Sequence, residues 1–285
     1  MKLALRMPGT ARQMPFPDYC RWCRENGFDG VDVGPMTPEI RQAVDAAGLE
    51  IGTSDLMTFG GLFGTDQEAE QAVAQSVQLI DAAVNLGVPR LFTVFVPPDP
   101  ARGRAANFAR LKETFGPVVA HLERRGARLA VEGWPGGAPH YGALAVTPET
   151  VRALLEAFPS PAIGLNYDPS HLIRIGVDYL RFLREFGERV VHCHGKDTTF
   201  DSEALYLHGN LGPTFGQAKA FGEDWWRYTI PGEGLADWAK ICAQLDALGY
   251  DGFISVELED FRYHRTWKAE SEGLIRARRH LALYA

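Results

Sequence analysis

The 285-residue sequence predicts a single-domain α/β protein built as a (β/α)8 barrel. Eight short β-rich runs alternate with longer helical patterns, which implies parallel strands joined by helical crossovers. Eight units over 285 residues give about 36 residues each, in keeping with the ~250 residues typical of such a barrel. An open doubly wound sheet is the alternative, and it usually carries a glycine-rich phosphate loop after its first strand. Here the first run leads into RMPGTARQMPFP, which contains no G-x-G-x-x-G.

In chain order the strand runs are 2–7 (KLALRM), 28–33 (FDGVDV), 49–53 (LEIGT), 90–96 (RLFTVFV), 127–132 (ARLAVE), 162–167 (AIGLNY), 189–194 (RVVHCH) and 252–257 (GFISVE). Between them, 67–87 reads as a helix, because Ala69, Val73, Val77, Ile80 and Val84 recur at three- and four-residue steps. The stretch 104–126 reads as a second long helix. Gly27, Gly48, Gly87, Gly126, Gly187 and Gly249 each precede a strand, where glycine can take the left-handed conformation that closes a helix. The spacing breaks once. About 40 residues separate the seventh run from the next helix near Leu235, and a loop this long in a compact domain is usually functional. The insertion at about 198–232 holds Phe200, Tyr206, Phe215, Phe221, Trp225, Trp226 and Tyr228. It follows the C-terminal end of a strand, so it reads as a lid over the barrel mouth, or as a loop with its own apolar cluster or a subunit contact.

The composition is 46% hydrophobic and 23% charged, which excludes a disordered chain. A net charge of -7 argues against nucleic-acid and anionic-membrane partners. Four cysteines form no disulfide framework, and Cys20 and Cys23, although spaced C-x-x-C, read as small residues on an amphipathic helix. Arg6 and Pro8 interrupt the N-terminal apolar run that a signal peptide needs, so a cytoplasmic location is expected.

The ends of the late runs carry the chemistry. The fifth ends at Glu132, the sixth at Asp168, the seventh at His194 and the eighth at Glu257. Four neighbouring strand ends therefore bring three carboxylates and an imidazole to one side of the mouth, where unpaired like charges are costly. A divalent cation removes that cost. Carboxylate with water suits Mg2+ or Mn2+, and imidazole admits Mn2+, Co2+, Zn2+ or Fe2+, so one Mn2+ per chain is the first expectation. Cys193 alternates away from the lumen if His194 points in, which argues against a structural zinc site. Taken singly, each residue has a structural alternative: Glu132 and Glu257 as buried ion-pair partners, Asp168 as a helix cap before Pro169, and His194 as a hydrogen-bonded core histidine.

The segments VEGWP, NYDPSH, HCHGKD, IPGEGLADW and GYDGFISVELED resemble the motifs of the sugar phosphate isomerase/epimerase superfamily, the xylose isomerase-like TIM barrels. The resemblance covers most of the chain and is strongest from residue 128 to 260. It implies that Glu132, Asp168, His194 and Glu257 hold one metal, that His171 contacts a substrate hydroxyl, and that Lys196 lies beside the site. It also implies a homo-oligomer acting on a small carbohydrate. Ketose 3-epimerases of the family carry a further Glu after the first ligand and an Arg after the His. This chain has Trp134-Pro135-Gly136-Gly137 and Thr198-Thr199-Phe200 there.

The chemistry expected of such a site is proton transfer through a metal-bound enediolate, with Glu132 and Glu257 as the acid/base pair. Reprotonation on the opposite face is epimerisation, return to the adjacent carbon is isomerisation, and loss of a β-hydroxyl is dehydration. An isomerase or epimerase of a sugar or keto-sugar is the first reading. A lyase on the same site, dehydrating an inosose or cleaving a 3-keto-glycoside, is the second. A repair endonuclease would need further His and acidic ligands from the early strands, which end in Met7, Val33, Thr53 and Val96. A non-catalytic sugar-binding barrel would have no need of the full ligand set. Trp134, His140 and Tyr141 are candidates to line a sugar face or to pack under the lid. Arg227 is placed to meet a substrate hydroxyl or carboxylate, or to pair with Asp224. His192 shares the parity of His194 but sits deeper and reads as packing. Glu233 reads as turn chemistry, and Asp32 as a rim residue far from the metal half.

Overall fold

The computed structural model describes residues 1–99, 101–137 and 143–285. The described residues contain ten strands: β1 (Lys2–Arg6), β2 (Gly30–Val33), β3 (Glu50–Asp55), β4 (Arg90–Val94), β5 (Arg128–Glu132), β6 (Ile163–Tyr167), β7 (Val190–Gly195), β8 (Asp197–Phe200), β9 (Trp226–Thr229) and β10 (Phe253–Val256). The helices are α1 (Phe16–Glu25), α2 (Pro38–Ala46), α3 (Asp66–Asn85), α4 (Arg104–Thr114), α5 (Gly116–Arg125), α6 (Pro148–Ala157), α7 (Pro169–Arg174), α8 (Tyr179–Phe186), α9 (Ser202–His208), α10 (Trp238–Ala247) and α11 (Trp267–Leu281). All eight expected runs form one closed parallel barrel in the order β1-β10-β7-β6-β5-β4-β3-β2. β1 closes the ring against β10, pairing Leu5 with Val256. Successive side chains alternate between lumen and helix layer. Outward residues such as Leu5, Val31, Leu129, Leu165, Cys193 and Ile254 form the apolar core beneath the helices.

Two helical expectations are corrected. The stretch 104–126 is two helices that meet at Phe115, because Pro117 has no N–H to continue the ladder. The buried face of α3 is Ala69, Ala72, Ser76, Ile80 and Ala83, shifted from the valine stripe. Small residues line the contact with the layer beneath, and Val73 and Val84 pack at its margins. Five of the six helix-closing glycines have positive φ, but Gly187 is right-handed, with φ -58. A Cβ there would lie 2.2 Å from Leu248 Cδ1, so that exposed side chain would have to turn aside. Cys20 and Cys23 lie buried on α1 as free thiols.

The long insertion is an antiparallel hairpin, β8 with β9, carrying α9 and an extended segment between its arms. Trp225, Trp226 and Tyr228 make a small apolar cluster with Phe200, Ala204 and Leu205. Tyr206, Leu207, Leu211, Phe215 and Phe221 are exposed. Asp197 ties the hairpin's base to the barrel, its Oδ1 accepting from the N–H groups of Thr198 (2.8 Å) and Ala236 (2.9 Å). Burial outweighs those bonds and pushes its carboxyl up to about 6. A carboxyl raised above its unfolded value of ~3.9 is penalised in its ionised form in the folded protein. Its drag on stability should be absent below pH ~4, grow between pH ~4 and ~6, and be complete above that. Asp197→Asn is therefore expected to remove a stability decrease across that interval. Denaturation free energies of the two proteins measured at pH 4 to 7 check this, and parallel curves would refute it.

Among the described residues, no helix is long and apolar enough to cross a membrane.

Candidate metal centre and active site

Glu132, the last residue of β5, and His194 in β7 point into the lumen at the C-terminal end of the barrel. Asp168 follows β6 as the N-cap of α7, and Glu257 follows β10. One ligand-type atom from each of these four lies within 4.8 Å of every other. His194 Nδ1 is 2.7 Å from Glu132 Oε1, 3.3 Å from Glu257 Oε2 and 3.9 Å from Asp168 Oδ2. None of these contacts closes an aligned hydrogen bond on His194, and Asp168 Oδ2 is buried without a hydrogen-bond partner among the described residues.

The helix-cap alternative for Asp168 also holds. Its Oδ1 accepts from Ser170 N (2.8 Å) and Ser170 Oγ (2.6 Å), which fixes the carboxylate and leaves Oδ2 facing inward. Asn166 Nδ2 donates to Glu132 Oε1 at 2.7 Å and orients that side chain. Glu257 is held by Lys196 Nζ on one oxygen and lies 3.3 Å from Arg6 Nε on the other. Lys196 is buried; its ammonium also donates to half-exposed Glu259 at 2.9 Å and lies 3.3 Å from Asp168 Oδ2. His171 Nε2 sits 3.5 Å from Glu132 Oε2 and 3.4 Å from Asp168 Oδ2, while its Nδ1 meets Tyr228 Oη at 2.7 Å.

The electrostatics call for positive charge at the centre. Burial opposes a charged His194, yet Glu257 and Glu132 outweigh it and push its pKa up to about 10. Burial alone would raise Glu132, but the adjacent His194 holds it well below the usual carboxylate range. Glu257 is held low in the same way by Lys196 and His194. A divalent cation would replace that proton with a stronger charge and would take imidazole in its neutral form. Three carboxylates and one imidazole, with buried donor atoms left over, fit such an ion.

Several contributors were not legible in advance. Arg6 forks onto Asp55 with bonds of 2.9 and 3.1 Å, stacks 4.5 Å above Phe92 and reaches Glu257. Its signal was its parity with Ala4 at the end of the first run. The expectation that Asp32 lies far from the metal half is corrected. Asp32 Oδ2 is 3.0 Å from His192 Nε2 and 3.9 Å from His194 Nε2, and Oδ1 accepts from Thr53 N. Gly52 leaves room for this carboxylate, since a Cβ there would fall 2.3 Å from Asp32 Oδ1. His192 is thus a buried, hydrogen-bonded residue beneath the site. Tyr228, Asn166 and Glu259 complete the surroundings.

Arg227 pairs with Asp260 Oδ1 at 2.7 Å, outside the group around His194, whereas Asp224 lies 2.9 Å from His208 Nε2. Trp134 is half-buried just beyond Glu132. His140 and Tyr141 lie outside the described residues. Glu233 accepts from Tyr263 Oη at 2.8 Å, a structural role.

A closed parallel barrel with a carboxylate–imidazole cluster at the C-terminal mouth defines a class of α/β barrel with a candidate metal centre. Residues 20–282 match the family model of the xylose isomerase-like TIM barrel, and the chain belongs to that family. It is 32% identical over 120 residues to an inosose dehydratase of Geobacillus thermodenitrificans, a match covering 42% of this chain and 38% of that enzyme's length. A D-psicose 3-epimerase structure from Clostridium cellulolyticum H10 superposes with TM-score 0.73 at 14% identity, covering 100% of this chain and 99% of the other. The 3-keto-D-glucoside 4-epimerase of E. coli gives TM-score 0.69 at 16% identity, with 98% and 99% covered. At those identities the likeness is one of fold.

Proposed function

We propose that the chain is a divalent-metal-dependent isomerase or epimerase of a sugar or keto-sugar. The carrying observation is the convergence of Glu132, Asp168, His194 and Glu257 within 4.8 Å at the barrel mouth. Glu132, Asp168, His194 and Glu257 would hold the cation, Mn2+ in the first instance, which would supply Lewis acidity toward substrate oxygens. Glu132 and Glu257 enter from β5 and from the end of β10, with Asp168 and His194 between them, so a carboxylate stands on each side of the centre. One removes the proton α to the carbonyl and the other returns a proton to the opposite face or the adjacent carbon. Asn166 and Arg6 hold the two carboxylates in place. His171 and Lys196 are the donors for substrate hydroxyls, and Trp134 offers an apolar wall. Arg227 reaches the substrate only by leaving Asp260. The insertion from β8 to β9 covers the mouth and excludes water.

Dehydration or 3-keto-glycoside cleavage on the same site is the second reading. Supporting it are the Lys196 ammonium beside Glu257, a donor for a departing oxygen, and the likeness to an inosose dehydratase. A panel of ketoses, inososes and 3-keto-glycosides, run with Mn2+ and read by mass spectrometry, separates the two. Isomeric products of unchanged mass support the first. Loss of water or release of an aglycone supports the second. Metal-loaded protein that transforms no member of the panel would count against both.

A further inference from the structure

We propose that Tyr228, supplied by the insertion, is a positioning residue that fixes His171 in the tautomer with its proton on Nε2, aimed into the site. This rests on the reading of His171 as a substrate donor. The hydrogen-bond inventory around the phenol leaves one solution. Arg174 Nη1 lies 3.2 Å from Tyr228 Oη, and a guanidinium can only donate, so the phenol oxygen accepts there. Arg174 is buried and clamped against the ring of Trp226, 3.9 Å away, and that of Phe221, 4.9 Å away, so it is not free to turn aside. The remaining close partner of Tyr228 Oη is His171 Nδ1, at 2.7 Å. Burial raises the phenol above its usual range despite nearby Lys196 and Arg174, so it keeps its hydrogen. That hydrogen has one acceptor among the described residues, the Nδ1 lone pair. A ring carrying hydrogen on Nδ1 would leave the hydroxyl hydrogen without an acceptor in a buried setting.

The other end of the ring agrees independently. Nε2 is buried, has no aligned partner among the described residues, and faces Glu132 Oε2 at 3.5 Å and Asp168 Oδ2 at 3.4 Å. A bare lone pair there would oppose two carboxylate oxygens, whereas N–H is attracted to them. The chain Arg174–Tyr228–His171 thus links the hairpin to a single N–H donor at the centre. β8–β9 pairing sets Tyr228 opposite Thr198, whose Oγ1 donates to Ser170 O at 2.8 Å and ties the hairpin to α7, the helix that bears His171.

The test is 15N NMR of protein labelled at histidine and loaded with diamagnetic Mg2+, His171 being assigned by the signal lost in His171→Gln. The expected result is one tautomer, with a pyrrole-type Nε2 and a pyridine-type Nδ1. In Tyr228→Phe the two nitrogen signals should move toward each other as the tautomers mix, with metal content by elemental analysis unchanged. A pyrrole-type Nδ1 in the wild type, or His171 signals unmoved by Tyr228→Phe, would overturn the proposal. If Tyr228→Phe fails to fold, the wild-type tautomer alone decides. Absence of bound metal from the wild-type protein would count against the proposed function and leave the tautomer reading standing.

Discussion

Glu257→Gln and His194→Ala are each expected to strip the divalent cation from the purified protein. Glu257→Gln replaces a carboxylate of the cluster with a neutral amide, and His194→Ala removes the one nitrogen donor the cluster has among the described residues. Changing a residue that merely supports a metal ligand typically costs roughly 10–100-fold in affinity, so loss of a ligand itself should cost more. Asn166→Ala provides the graded comparison, because Asn166 orients Glu132 through one 2.7 Å bond and is not one of the four clustered residues. Elemental analysis after dialysis should find about one equivalent in the wild type, less in Asn166→Ala under limiting metal, and little in the two ligand variants. Full occupancy in both ligand variants would remove this site from the protein's chemistry. Glu257→Gln also leaves Lys196 without one of its carboxylate partners, so melting temperature should be followed alongside.

Glu132→Gln is expected to abolish exchange of the substrate's α-hydrogen with solvent. A positioned base accelerates such a proton transfer by roughly 10²–10⁴-fold, and the amide has no basic lone pair to replace the carboxylate. Turnover in D2O should place deuterium on the reprotonated carbon of an epimerase or isomerase product, and in substrate recovered from a dehydratase through reversal of the same C–H abstraction. His194 is held close to Glu132, so the substitution also changes the charge at the centre, and metal content must be measured on the same sample. Efficient catalysis with no solvent deuterium in recovered substrate or product would indicate direct hydride movement between carbons. Glu132 would then be a ligand only.

Much of the candidate site could be read from the chain because its information is local. Alternation along a strand decides which residues share a face, and the end of a strand in a parallel barrel decides which of those reach the mouth. Glu132, Asp168, His194 and Glu257 each satisfy both conditions within a few residues of sequence. Cys193 is placed outward by the same alternation, and the structure buries it in the apolar core. The helix break at Pro117 was equally local, and the absent N–H of proline was the signal for it.

Other features depend on closure. Arg6 reaches Glu257 because β1 pairs with β10, a contact between residues 251 positions apart that no period in either segment encodes. Asp32 looked remote because β2 is two places around the ring from β10 and further from β5. Inside a narrow barrel, however, side chains from strands that do not pair meet across the lumen, and Asp32 on β2 bonds His192 on β7, three places away. Tyr228 is set by the register of an antiparallel hairpin, where a one-residue slip would turn it to the other face. The sequence by itself determined the eight strands, the residues at their mouth ends and the chemical character of the cluster, because periodicity and side-chain type are properties of short segments. Only the tertiary structure decided which cations balance that cluster, which acid lies beneath it and which part of the insertion touches it, because those depend on where distant segments close against one another.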